Sequence, residues 1–116
     1  MPDGDREGPL RRSPVGRSST RVLGIDPGSR ITGYGVVESK GSRLHHVASG
    51  VIRGGTTKTP FEERLRRIHQ GIVDVIAAHG PIAVGVESIP HARNALSALK
   101  LGHARGVALL AIAQAG

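Results

Sequence analysis

Two acids of this sequence, Asp26 and Glu87, each close a short apolar run that cannot continue past them. Asp26 ends Val22-Leu23-Gly24-Ile25 and is followed by Pro27-Gly28, while Glu87 ends Ile82-Ala83-Val84-Gly85-Val86 and is followed by a loop through Pro90. The aliphatic and β-branched residues favour strands and Pro-Gly ends one, so both acids are expected at the rim of a sheet. An aspartate before Pro-Gly also serves as a turn former that hydrogen-bonds its own backbone, and two strand-end acids can be unrelated. If the strands are parallel neighbours, however, the carboxylates emerge on one edge, where they repel unless a cation lies between them. Oxygen ligands of this kind select Mg²⁺ or Mn²⁺ over zinc.

Positioning such a pair takes a sheet and its supports. Both apolar runs are continuous rather than alternating, which predicts strands covered on both faces. After the turn at 27–30, residues 32–38 read as a second strand whose glycines let backbone or ligand come close. Lys40-Gly41 is the expected centre of a hairpin leading to a third strand over about 43–52, which completes an antiparallel meander. His45 and His46 lie side by side in it, on opposite faces and without a ligand-spaced partner, and read as surface or satisfied histidines.

Residues 53–58 read as a flexible loop, and Thr59-Pro60-Phe61-Glu62 predicts a helix start, with Thr59 capping, Pro60 first in the helix and Glu62 completing a capping box. Phe61, Leu65, Ile68, Ile72 and Ile76 keep helical spacing to about His79, where Gly80-Pro81 stops it. Arg64, Arg66 and Arg67 fall off that stripe and read as a solvated face. The strand ending at Glu87 follows, and from about Asn94 a second helix runs through Leu96, Leu99, Ala104, Val107 and Leu110. Gly102 and Gly106 each cost up to ~1 kcal/mol relative to Ala there. They mark a face where another backbone approaches, either a partner helix in a dimer or the chain's own sheet. The expected class is α/β, a three-stranded antiparallel meander plus a parallel fourth strand with two helices.

At 116 residues the chain holds one small domain, expected over 21–116, after a polar tail at 1–20 that cannot offset its ordering entropy by burial. Tyr34 and Phe61 are the sole aromatics, so the core must be aliphatic. The lack of cysteine excludes disulfides, zinc-thiolate sites and cysteine nucleophiles. The polar, acid-bearing start does not read as a signal peptide, and the longest unbroken apolar run, 107–113, is too short for a bilayer. A soluble cytoplasmic protein with no membrane partner is expected.

Sixteen Lys and Arg against nine Asp and Glu give a net charge of +7. Residues 88–116 carry Arg93, Lys100 and Arg105 and no acid, which points the positive field to the region after Glu87 and suits a polyanion. So few aromatics argue against a stacking platform for single strands, leaving duplex backbone as the better partner.

Gly24-Ile25-Asp26-Pro27-Gly28-Ser29, Thr32-Gly33-Tyr34-Gly35-Val36, the Glu87 strand, Asn94, Ser97-Ala98-Leu99-Lys100-Leu101-Gly102 and Ala104-Arg105-Gly106 together resemble the Holliday-junction resolvases of the RuvC type. The last block is highly specific. The Gly-x-Asp-x-Gly turn is shared with actin-like ATPases, which need a second lobe that this chain is too short to hold, and with YqgF-type nucleases.

The resemblance implies an RNase H-like fold and a homodimeric endodeoxyribonuclease that binds four-way junction DNA and nicks two opposed strands symmetrically in recombination and repair. It implies Mg²⁺ at an acidic cluster, with Mn²⁺ an alternative and two ions per site in the complete domain, and docking by the branch-migration complex RuvA-RuvB. It assigns catalytic and metal-holding roles to Asp26 and Glu87 and DNA contact to Arg93, with Asn94, Lys100 and Arg105 as further DNA-binding candidates. Two more acidic or histidine positions come, in that family, from a helix beyond a fifth strand, and neither stands in this sequence. Weak metal binding and slow or no cutting are therefore expected of these residues alone. Ser88 and Pro90 also stand where the family has Gln and an aromatic wedge, which departs from its junction handling. A noncatalytic DNA-binding or dimerisation fragment is the alternative.

Overall fold

Aliphatic runs and the turns between them build four strands and two helices in the computed structural model, which describes residues 18–87 and 94–116. Strand β1 (Ser18–Asp26), β2 (Ile31–Lys40) and β3 (Arg43–Arg53) form the meander, helix α1 (Phe61–His79) crosses over, β4 (Pro81–Val86) follows, and α2 (Ala95–Ala115) ends the chain. The sheet order is β3-β2-β1-β4, with β2 antiparallel to both neighbours and β4 parallel to β1. The expected meander with a parallel fourth strand is thus observed.

Both helices cover one face of the sheet. Leu23 and Ile25 of β1, Val36 of β2 and Ile52 of β3 meet Ile68 and Ile72 of α1 and Ala108 and Ala111 of α2 in one core. Gly71 lets α1 lie close over β3, since a Cβ there would run into the Ile52 side chain. His69 and Gln114 join the two helices by a 2.7 Å hydrogen bond.

Several local expectations are corrected. β1 begins at Ser18, so three residues assigned to the tail belong to the sheet, while residues 1–17 lie outside the described residues. The apolar runs are covered on one face only: Val22, Gly24 and Asp26 are exposed, as are their neighbours Ala83 and Gly85 in β4. The hairpin loop is Gly41-Ser42, closed by the Lys40–Arg43 pair, with Gly41 at φ 63°. No capping box forms on α1. Pro60 is the cap residue, and the Thr59 hydroxyl instead accepts the Thr56 N–H at 3.1 Å, turning 56–59 into a hydrogen-bonded turn rather than a free loop. At the other end Gly80 takes the left-handed cap, φ 54°, as Gly80-Pro81 predicted.

Helix α2 meets the core by its small residues. Ala104, Ala108 and Ala111 are buried, whereas Leu96, Leu99, Leu109 and Leu110 are exposed. Gly102 and Gly106 are exposed too, and a Cβ at either would meet nothing within 4 Å, so packing on the chain's own sheet does not explain them. α2 is long and apolar enough to cross a membrane by length and composition, unlike the unbroken apolar run at 107–113 taken alone. Lys100, His103 and Arg105 interrupt it, and Ala108 and Ala111 join the core.

Candidate metal centre at the strand rim

The two acids emerge side by side. Ile25 of β1 pairs with Val86 of β4, and the Glu87 N–H donates to the Ile25 carbonyl at 2.9 Å, carrying the parallel ladder one residue past the strand. Neighbouring strands lie about 4.8 Å apart. Asp26 and Glu87 therefore occupy adjacent positions at the carboxyl ends of a parallel pair, the edge at which open α/β sheets collect ligands. Both are exposed.

On the far side of Asp26 its register partner is Gly33 of β2, and one row back Gly85, Gly24 and Gly35 align across β4, β1 and β2. A Cβ at Gly35 or Gly85 would meet nothing within 4 Å, so the row is bare backbone by sequence, not by crowding. It floors an open groove of about 770 Å³ that both acids line. A ligand or another chain segment can come close there.

The turn that follows Asp26 is held firmly. Thr32, fully buried, donates its hydroxyl to the Gly28 carbonyl at 2.8 Å and accepts the Gly28 N–H at 3.1 Å, and Gly54 donates to the Arg30 carbonyl at 2.7 Å. Arg64 departs from its expected solvated place: it is 7% exposed and donates Nη1 to Ser29 Oγ at 3.2 Å. The signal was in the spacing, because position 64 lies three after Phe61 and four before Ile68, on the stripe that faces the core. Arg66 and Arg67 do face solvent and pair with Glu63 at 2.6 and 3.0 Å.

Of the residues expected to meet DNA, Arg93 lies outside the described residues, as do Ser88 and Pro90. Asn94 caps α2, its Oδ1 accepting the Ser97 N–H at 2.9 Å, so that oxygen is committed to the helix. Lys100 stands over the Phe61 ring at 5.9 Å. Arg105 points Nε at the Glu87 carbonyl, 3.4 Å away, which brings a cation of α2 to the acidic rim.

A family model described as "Crossover junction endodeoxyribonuclease RuvC" matches residues 22–116. The chain belongs to the RuvC family. Among curated RuvC proteins it is 55% identical to that of Ectopseudomonas mendocina over 97 residues, 84% of this chain and 55% of the relative. It is 58% identical to that of Syntrophotalea carbinolica over 91 residues, 78% of this chain and 56% of the relative. Among solved structures, T. thermophilus RuvC in complex with Holliday junction substrate superimposes with a TM-score of 0.77 at 36% identity, over 84% of this chain and 59% of that one. The chain thus spans little more than half the length of these RuvC relatives.

The donor set fits a hard divalent cation in kind: two exposed carboxylates next to an open groove. In number it is sparse. Among the described residues no group of three His, Asp or Glu side chains gathers in a metal-binding arrangement.

Proposed function

We propose that this chain carries the first half of the catalytic centre of a junction-resolving endodeoxyribonuclease, with Asp26 and Glu87 holding Mg²⁺ or Mn²⁺ against the scissile phosphate. The observation that carries it is the adjacency of the two acids at the carboxyl ends of β1 and β4. Family membership, and the Holliday junction bound in the T. thermophilus RuvC complex, support four-way junction DNA as substrate.

A divalent ion bound there would supply charge neutralisation at the phosphate and an activated water for in-line attack. Asp26, central in the rim between Gly33 and Glu87, and Glu87 beside it would hold the ion. Arg105, beside the Glu87 carbonyl, and Lys100 would hold the sugar–phosphate backbone, whose binding weakens as salt rises. Arg93 completes the basic set by sequence. Two carboxylates leave most of an octahedral shell to water and phosphate.

The homodimer and RuvA-RuvB docking belong to the same reading. Leu99, Gly102, Gly106 and Leu110 make one exposed stripe on α2, opposite its alanine face, and two copies of such a stripe can pack closely across the glycines. The noncatalytic alternative is favoured by the missing third ligand among the described residues.

Binding and nicking of a synthetic four-way junction by wild type and Asp26→Asn decide between the two. The nuclease reading expects Mg²⁺-dependent nicking, slow in this chain, that Asp26→Asn abolishes while junction binding persists. Nicking that survives Asp26→Asn overturns it, and junction binding with neither nicking nor any divalent-ion binding at the rim favours the alternative.

A further inference from the structure

We propose that Arg64 is a positioning residue for Asp26, holding the turn at 27–30 from the first turn of α1 so that the carboxylate just before it stands beside Glu87; the proposal rests on the metal-centre reading above.

Arg64 is a costly residue in its place. A guanidinium removed from water loses more than an ordinary polar group, and aliphatic replacements of buried ions are often neutral or stabilising. The Arg64 Nε is buried without a hydrogen-bond partner, and among the described residues no carboxylate forms an ion pair with it. The Phe61 ring, 5.2 Å from the guanidinium carbon, offsets part of that cost. Stability alone does not explain an arginine here.

Its hydrogen bond does. Nη1 reaches Ser29 Oγ at 3.2 Å, three residues after Asp26. Gly54 fills the space between the two segments: a Cβ there would strike the Ser29 carbonyl and lie 3.2 Å from the Arg64 carbonyl oxygen. The other ties on this turn, from Thr32 and from Gly54, come from the sheet and its immediate edge. Arg64 reaches the turn directly from the helix layer, whereas Arg67 reaches only the Gly54 carbonyl, at 3.4 Å, and so Arg64 links the placement of Asp26 to the packing of α1. Lys100 at 5.9 Å and His103 at 5.7 Å meet the same Phe61 ring, which extends the link to α2.

The test uses the 116-residue chain and two readouts, amide hydrogen exchange at Gly28 and Gly54 and Mn²⁺ affinity from paramagnetic broadening of rim amides. Ser29→Ala removes the acceptor at a turn without touching the core, so it serves where Arg64→Met alters folding. Each substitution should speed exchange at both amides by about fivefold or more, weaken Mn²⁺ binding, and leave core amides as they were. The double variant should be no worse than either single one, and Arg64→Lys should restore part of both effects. Unchanged exchange at Gly28 and Gly54 in both single variants, or additive effects in the double, would overturn the proposal. Asp26→Asn is the control for the underlying reading: if it leaves Mn²⁺ binding intact the metal centre is wrong, and the exchange data alone then judge the hold of Arg64 on the turn.

Discussion

Glu87 donates its backbone N–H to the carbonyl of Ile25 at 2.9 Å, so the acid after β4 is fixed by the ladder to the residue just before Asp26. Loop acids depend on side-chain packing for their placement. This one inherits its position from the sheet, and the pair therefore persists wherever β1 and β4 pair.

The turn after Asp26 has no space for an added side chain. A Cβ at Gly28 would collide with the Ile31 carbonyl, and Thr32 bonds both the N–H and the carbonyl of Gly28. Gly28→Ala should lower stability by about 1–3 kcal/mol and speed exchange around the turn, as urea unfolding and amide exchange will report. Wild-type values in both would show that the turn yields freely.

Gly71→Ala tests how tightly α1 sits on β3. The new methyl would overlap Ile52, and overpacking of this kind costs typically about 1–3 kcal/mol. A helix-propensity gain from Gly to Ala works the other way by up to ~1 kcal/mol. A net loss in the urea midpoint is expected, and Gly71→Ala should cost less in an Ile52→Ala background, which lacks the Cγ2 and Cγ1 atoms that the new methyl would strike.

Much of this architecture was legible from local chemistry. The paired runs ending at Asp26 and Glu87, the meander, and the Gly80 stop of α1 all follow from residue types within a few positions. What was not legible depended on tertiary burial. Arg64 looked like a surface charge by type although its spacing placed it inward, and Thr59 had a nearer partner in Thr56 than the helix N–H groups it was expected to cap. Nor was the exposure of Leu96, Leu99 and Leu110 on α2 legible, because hydrophobicity ranks them above Ala104, Ala108 and Ala111, the residues that are buried.

Acid should loosen the start of α1. Hydrogen bonds from Arg66 and Arg67 hold the Glu63 carboxyl down from 4.5 to about 2. Its folded value lies below its unfolded one, so its contribution is full above the ordinary carboxylate range and is lost as pH falls through about 2. Melting temperatures of wild type and Glu63→Gln should therefore converge as pH drops through that window, and less so at high salt, which screens an exposed cluster. Parallel curves would show that the arginines contribute nothing there.

Replacing Leu99 and Leu110 by Lys places two like-charged pairs across the proposed α2 interface without disturbing the alanine face. Sedimentation should show the self-association constant weakened at least about tenfold with the melting temperature of the dilute chain little changed. A wild-type chain that stays monomeric at high concentration would remove α2 as the dimer surface.

If Asp26 and Glu87 grip one cation together, a Mn²⁺ titration followed by amide line broadening will read it at both strand ends. Signals of residues 25–28 and 85–87 should broaden along one saturation curve, and Asp26→Asn and Glu87→Gln should each abolish broadening at both segments. Broadening confined to one segment, or two curves that the single substitutions remove independently, would contradict it.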